Sequence, residues 1–176
     1  MKRIRSNCWG YGIHSPFVYR LVSRIIFGKT DPSREKISFP AGMKRAGKKK
    51  IEMITRLIRY FNPEKLLIPE NEPFPGQVIK TCFPDIQVVD FNHPAKPALC
   101  REFIISSDPL VPVEELSDNF VWILPDLTLP QCRDLFLTLQ KDPKVKITIE
   151  VNLSGIVISN QHYQKQDYFI NPYFFF

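Results

Sequence analysis

Glycine is scarce in this sequence, with seven residues of 176 against sixteen prolines. Glycine lets a backbone close around phosphates or a nucleotide, so its scarcity speaks against a glycine-rich cofactor loop. The one Gly-x-Gly, Gly10-Tyr11-Gly12, precedes a helical pattern but follows no strand, which excludes a dinucleotide fingerprint. A Walker loop, a G-x-S-x-G elbow and an H-E-x-x-H helix are all missing. Cysteine is sparse as well. Cys8, Cys82, Cys100 and Cys132 form no C-x-x-C pair and have no histidines at zinc spacing, so no metal is expected. No apolar run approaches the roughly 18 residues of a membrane span. The basic start Met1-Lys2-Arg3-Ile4-Arg5 leads into Ser6-Asn7-Cys8-Trp9-Gly10, not into the apolar core of a signal peptide. The expectation is a cytoplasmic protein with reduced thiols and no membrane contact.

What is present is an ordinary globular balance. Hydrophobic residues at 44% and charged residues at 24% exclude wholesale disorder and coiled coil. The length suits one core that buries roughly 70% of the unfolded surface. Charge is uneven: residues 1–60 carry 15 Lys/Arg and 3 Asp/Glu, a balance of +12, whereas residues 61–176 carry 9 and 15, a balance of −6. Lys44, Arg45, Lys48, Lys49 and Lys50 form the densest cluster. Such an arm suits nucleic acid, an acidic protein partner or anionic lipid, or else it is a solvated face lying against the acidic remainder. Few aromatics interleave the cluster, so it lacks the stacking platform of a single-strand binder.

Ser15-Pro16 opens a helix over 16–27, since Ser caps a free N–H and Pro at the first position needs none. Phe17, Leu21 and Ile25, flanked by Val18 and Val22, make its apolar stripe, and Gly28 ends it. Residues 28–47 show no periodicity and read as a basic linker. A second helix over about 48–61 places Ile51, Ile54, Leu57, Ile58 and Phe61 on one face and stops at Asn62-Pro63. Short apolar runs follow: 65–69, 86–90, 103–105 and 120–124 read as strands of a parallel sheet covered on both faces. A short helix fits 74–83 and a longer one 129–141, with Leu135, Phe136 and Leu139 buried. Strands over 145–151, 155–159 and 168–170 close the chain. The tight link Asn152-Leu153-Ser154-Gly155 implies an antiparallel hairpin at the edge of the sheet. The aromatic terminus Tyr168 to Phe176 either packs back on the sheet or makes a homodimer contact.

Gly10-Tyr11-Gly12-Ile13-His14-Ser15-Pro16-Phe17-Val18 resembles the HGIHSPF opening of a group of bacterial class I S-adenosylmethionine-dependent methyltransferases, found largely in Bacteroidetes. Ile51 to Pro63 is similar to that group's helix leading into the first strand. Leu139 to Ser159 looks like its last helix and closing hairpin. The resemblance covers more than half the chain. It implies a Rossmann-like methyltransferase sheet, mostly parallel with an antiparallel C-terminal hairpin, over 51–176, preceded by an N-terminal helical extension and basic linker over 1–50.

The resemblance also implies a cofactor site, and there the sequence departs from the pattern. Where the group has an acid and a glycine turn, this chain reads Ile68-Pro69-Glu70-Asn71-Glu72-Pro73-Phe74-Pro75-Gly76. Three prolines fix φ and remove N–H donors where donors should meet the ligand. Glu70 and Glu72 would face the carboxylate of the methionine moiety. Asp90 stands where the ribose-binding acid sits, or else begins a turn. Asp126 remains from an acidic pair that holds a cation in metal-dependent relatives; alone it is a poor cation site, and a helix cap is its expected role. His14, expected to make a structural hydrogen bond, His93 and His162 are scattered. The expectation is therefore a degenerate pseudoenzyme with no cofactor and a binding or assembly role. An active methyltransferase would bind S-adenosylmethionine through a remodelled pocket bounded by Glu70, Gly76 and Asp90, and a binder of nucleic acid or an acidic partner would use the basic arm.

Overall fold

The computed structural model of the protein describes residues 4–7, 13–28, 37, 39–69, 76–89, 102–108 and 112–171. Among the described residues eight strands form one sheet: β1 (Ile4–Asn7), β2 (Lys65–Leu67), β3 (Gln87–Val89), β4 (Glu102–Ile105), β5 (Phe120–Leu124), β6 (Ile147–Val151), β7 (Ser154–Ile158) and β8 (Gln166–Asn171). Their spatial order is β1-β8-β6-β7-β5-β4-β2-β3. All run parallel except β7, which is antiparallel to both neighbours, β5 and β6. The hairpin is therefore not at the edge as its sequence implied. β6 is followed outward by β8 and β1, both parallel to it, and β7 lies inside the sheet.

That hairpin turns through two residues of positive φ, Asn152 at 50° and Leu153 at 61°. Two consecutive left-handed residues give the turn whose twist matches paired strands. Gly155 follows because a Cβ there would stand 2.6 Å from a Phe136 ring carbon, so only glycine lets α4 (Pro130–Lys141) lie this close to β7.

Helix α1 (Pro16–Arg20) is capped as its sequence requires: the Ser15 hydroxyl accepts from the Val18 N–H at 3.4 Å. It then widens into a π-helical turn, Leu21–Ile26, closed by Phe27 N–H donating to Val22 C=O at 3.0 Å. Leu21 and Ile26, five residues apart, thereby share the buried side. Arg56 closes its end by donating to the carbonyls of Ile26 at 2.9 Å and Gly28 at 3.2 Å. These are the groups a helix end leaves without an internal partner. Gly28 has no room for a Cβ, which would meet the Arg24 carbonyl oxygen at 1.9 Å.

Helix α2 begins at Arg45, earlier than its apolar stripe indicated, and stops where Asn62 turns left-handed at φ 44° ahead of Pro63. Basic residues carry no apolar period, so the stripe alone hid the first turn. The short helix α3 is Gly76–Cys82. Helices α1, α2 and α3 contribute to a core on one face of the sheet, with Val18, Leu57 and Ile79 fully buried against Phe103, Val121 and Ile149. On the other face α4 covers Trp122, Leu124 and Val157. Thr148 and Glu150 of β6 and Asp167 of β8 are also buried. Glu150 receives a bidentate Arg133 at 2.8 and 3.1 Å, and Thr148 donates to Asp167 at 2.7 Å while accepting from Gln140 at 3.2 Å. No helix among the described residues is long and apolar enough to cross a membrane.

Candidate functional site

From β2 the chain places β3 on one side and β4 on the other, so the direction of winding reverses between β2 and β4. In open α/β sheets the crevice beyond the carboxyl ends of the strands flanking such a reversal is the usual ligand site. Three strand ends frame it here. β2 runs into buried Ile68 and Pro69, β4 into buried Ser106 and Ser107, and β5 into Pro125 and Asp126.

The described polar groups at these ends are engaged within the protein. The Ile68 N–H donates to Val89 C=O at 3.3 Å, and Pro69 has no N–H. The Ser106 hydroxyl donates to the Asp108 carbonyl at 2.9 Å and accepts from the Trp122 indole Nε1 at 3.1 Å. Asp126 accepts from the Thr128 N–H at 3.1 Å and hydroxyl at 2.7 Å, and its other oxygen pairs with Lys50 Nζ at 3.4 Å. Asp126 therefore organises the turn leading to α4 and is not its cap. Leu129 occupies the cap position, with no side-chain bond, and Pro130 at the first helical position dispenses with one donor.

Burial pushes the Asp126 carboxyl up, but the Thr128 hydroxyl and N–H together with the Lys50 charge outweigh it and hold it below its ordinary value. A carboxylate with a depressed folded pKa stabilises the native state above the unfolded pKa and loses that contribution as pH falls through the folded one. Asp126→Asn is expected to flatten the fall of stability with acid below about pH 4. The side chain is 38% exposed, so the effect is small. Urea midpoints of both proteins at acid and neutral pH check this; identical pH slopes would contradict it.

The ion pair also sets the position of the basic cluster. Lys50 is half-buried, whereas Lys44, Arg45, Lys48 and Lys49 are exposed on the first turn of α2 and the residue before it. Lys48 lies over the Phe39 ring at 5.6 Å. Because Lys50 reaches Asp126, the cluster stands at the carboxyl edge of the sheet. Of the expected cofactor residues, Gly76 opens α3, while Glu70 and Asp90 lie outside the described residues, as does His93. His14, between β1 and α1, and His162, between β7 and β8, are exposed and are not brought to the crevice. The tail 172–176 and the segment 92–101 also lie outside the described residues. Among the described residues no three His, Cys, Asp or Glu side chains gather as metal ligands.

The structure adds one feature the sequence did not disclose. At the opposite, amino edge of the sheet lies a cavity of about 300 Å³ floored by Val121 of β5 and Ile158 of β7. Its walls are aromatic, from Phe17 of α1, the last turn of α2 and Tyr163 of the β7–β8 loop. Phe17 and Tyr60 are 43 residues apart and Phe61 and Tyr163 are 102 apart, and the fold brings them together.

Comparison with family models, with curated proteins and with solved structures finds no match for this chain.

Proposed function

We propose that this chain is a degenerate, non-catalytic methyltransferase-like protein that keeps a Rossmann-like sheet and serves a binding or assembly role. Two features support the fold part of the reading: the winding reversal between β2 and β4, and the antiparallel β7 inserted between β5 and β6. They accord with the resemblance carried by Gly10 to Val18 and by Leu139 to Ser159. The observation that supports the loss of chemistry is the engagement of the crevice's described groups. An adenosyl ligand needs backbone donors and polar side chains directed at it. Here Ile68 N–H, the Ser106 hydroxyl and the Asp126 carboxylate are bound to Val89, Asp108 and Thr128, and Pro69 supplies no donor.

Titration calorimetry with S-adenosylmethionine and S-adenosylhomocysteine tests the reading. No saturable heat is expected up to millimolar ligand. Binding with a micromolar Kd would overturn it in favour of a working site built from Glu70, Gly76 and Asp90.

A further inference from the structure

We propose that the cavity at the amino edge binds a flat, uncharged nitrogen heterocycle of the nucleobase type, stacked on the Phe17–Tyr163 pair and hydrogen-bonded along one edge by Asn119 and Asn160. The proposal does not depend on the fate of the β2/β4 crevice, which lies at the other end of the strands.

The walls are flat and held. Phe17 and Tyr163 stack with ring centroids 4.6 Å apart and planes 22° from parallel, a double-layered wall on which a third ring can continue the stack. Tyr60 and Phe61 meet edge-on at 5.1 Å and 80°, and Phe61 is anchored in turn against Phe103 at 5.9 Å. Aromatic side chains from three segments of the chain line this space, which opens to solvent past Asn119. They make an effective slot for a ring, because base-to-aromatic stacking contributes substantially to affinity.

The polar lining selects the chemistry. Asn160 donates to Asn119 Oδ1 at 3.4 Å, and its own carbonyl oxygen accepts from the His162 N–H at 2.9 Å. Two carboxamides hold four N–H donors and four acceptor lone pairs, so these bonds leave both donors and acceptors over. Asn119 is exposed, placing that edge at the mouth. No charged side chain lines the cavity among the described residues. The described lining offers a charged ligand no counter-charge, and a hydrocarbon would leave the carboxamides unanswered. A neutral planar ring with neighbouring donor and acceptor atoms satisfies both walls and rim. The volume, about 300 Å³, is at the lower end for small-molecule sites and suits a base more than a whole dinucleotide.

Saturation-transfer NMR and calorimetry on the full chain with adenine, uracil and adenosine provide the test. At least one is expected to bind with a millimolar or tighter Kd; a tighter adenosine assigns the ligand to a nucleoside, equal affinities to the base alone. Tyr163→Leu, which keeps apolar packing but removes the stack, should weaken binding about tenfold. Asn119→Ala, at an exposed position, should weaken it severalfold with an unchanged melting temperature. Failure of all three compounds to bind the wild-type protein would overturn the proposal, as would undiminished binding by Tyr163→Leu. Undiminished binding that also shifts the Trp122 indole resonance would belong to the β2/β4 crevice and would overturn the preceding reading too.

Discussion

Trp122→Ala is expected to lower the stability of this protein by about 3–5 kcal/mol, the range for emptying a buried aromatic site. Trp122 is fully buried in the middle of β5, between Ile104 of β4 and Val157 of β7 on the face that α4 covers. Truncation removes the largest side chain of that core and leaves a hole that paired strands cannot close, since their spacing is fixed by backbone hydrogen bonds. It also strips the Ser106 hydroxyl of its indole donor. Against a total of about 5–15 kcal/mol the loss is large, and it corresponds to a fall in melting temperature of roughly 10 °C. Trp122→Phe separates the two effects: most of the packing stays, and the missing hydrogen bond should cost about 1 kcal/mol. Urea unfolding of both variants checks the expectation. Equal losses would mean that the hydrogen bond, not the ring's volume, holds this part of the core.

The second large effect is expected at Arg133. Its guanidinium donates both outer nitrogens to Glu150, whose side chain is only 7% exposed beneath α4. The Glu150 hydrogen bond raises the Arg133 pKa further despite burial, so the guanidinium stays charged. Arg133→Ala leaves the buried carboxylate without the guanidinium, a change that costs about 3 kcal/mol in comparable pairs. Replacing both residues, as in Arg133→Met with Glu150→Leu, should recover most of the loss, because two apolar side chains need no desolvated charge. Chemical denaturation of the single and double variants measures this. A double variant as unstable as the single would show that the pair holds α4 by shape and not by charge.

Much of the fold was legible because apolar side chains impose periods. The stripe Ile51, Ile54, Leu57, Ile58 and Phe61 marked α2, and the uninterrupted runs Phe120–Leu124 and Ile147–Val151 marked strands buried on both faces. β1 was not legible. Ile4-Arg5-Ser6-Asn7 has no alternation of its own and is ordered by backbone bonds to β8 at the far end of the chain. Nor was the inward position of β7, since a hairpin's sequence fixes its turn but not which strand accepts its second edge. The π-helical turn is another such case. Leu21-Val22 and Ile25-Ile26 are adjacent apolar pairs that fit an ordinary helix nearly as well, and Arg56 closes the turn from thirty residues away.

The candidate sites divide in the same manner. Prolines near the end of β2 were visible as residues, and Pro69 sits buried at the crevice. That Asp126 would join Lys50 rather than cap α4 required the geometry of both strand end and helix. The amino-edge cavity left no local signal at all. Phe17 read as part of an ordinary apolar stripe, and nothing in the sequence singled out Tyr60 or Tyr163 until sheet order brought the three to one place.

The proposed loss of adenosyl binding at the β2/β4 crevice can be tested at a single atom. Trp122 is one of two tryptophans, and its indole N–H bonds to Ser106 directly after β4, so its resonance reports on that crevice and not on the amino edge. With the peak assigned by Trp122→Phe, titration with S-adenosylmethionine should leave it in place up to millimolar ligand. A saturable displacement with a micromolar Kd would mean that the crevice still holds its cofactor and that the chain is not degenerate.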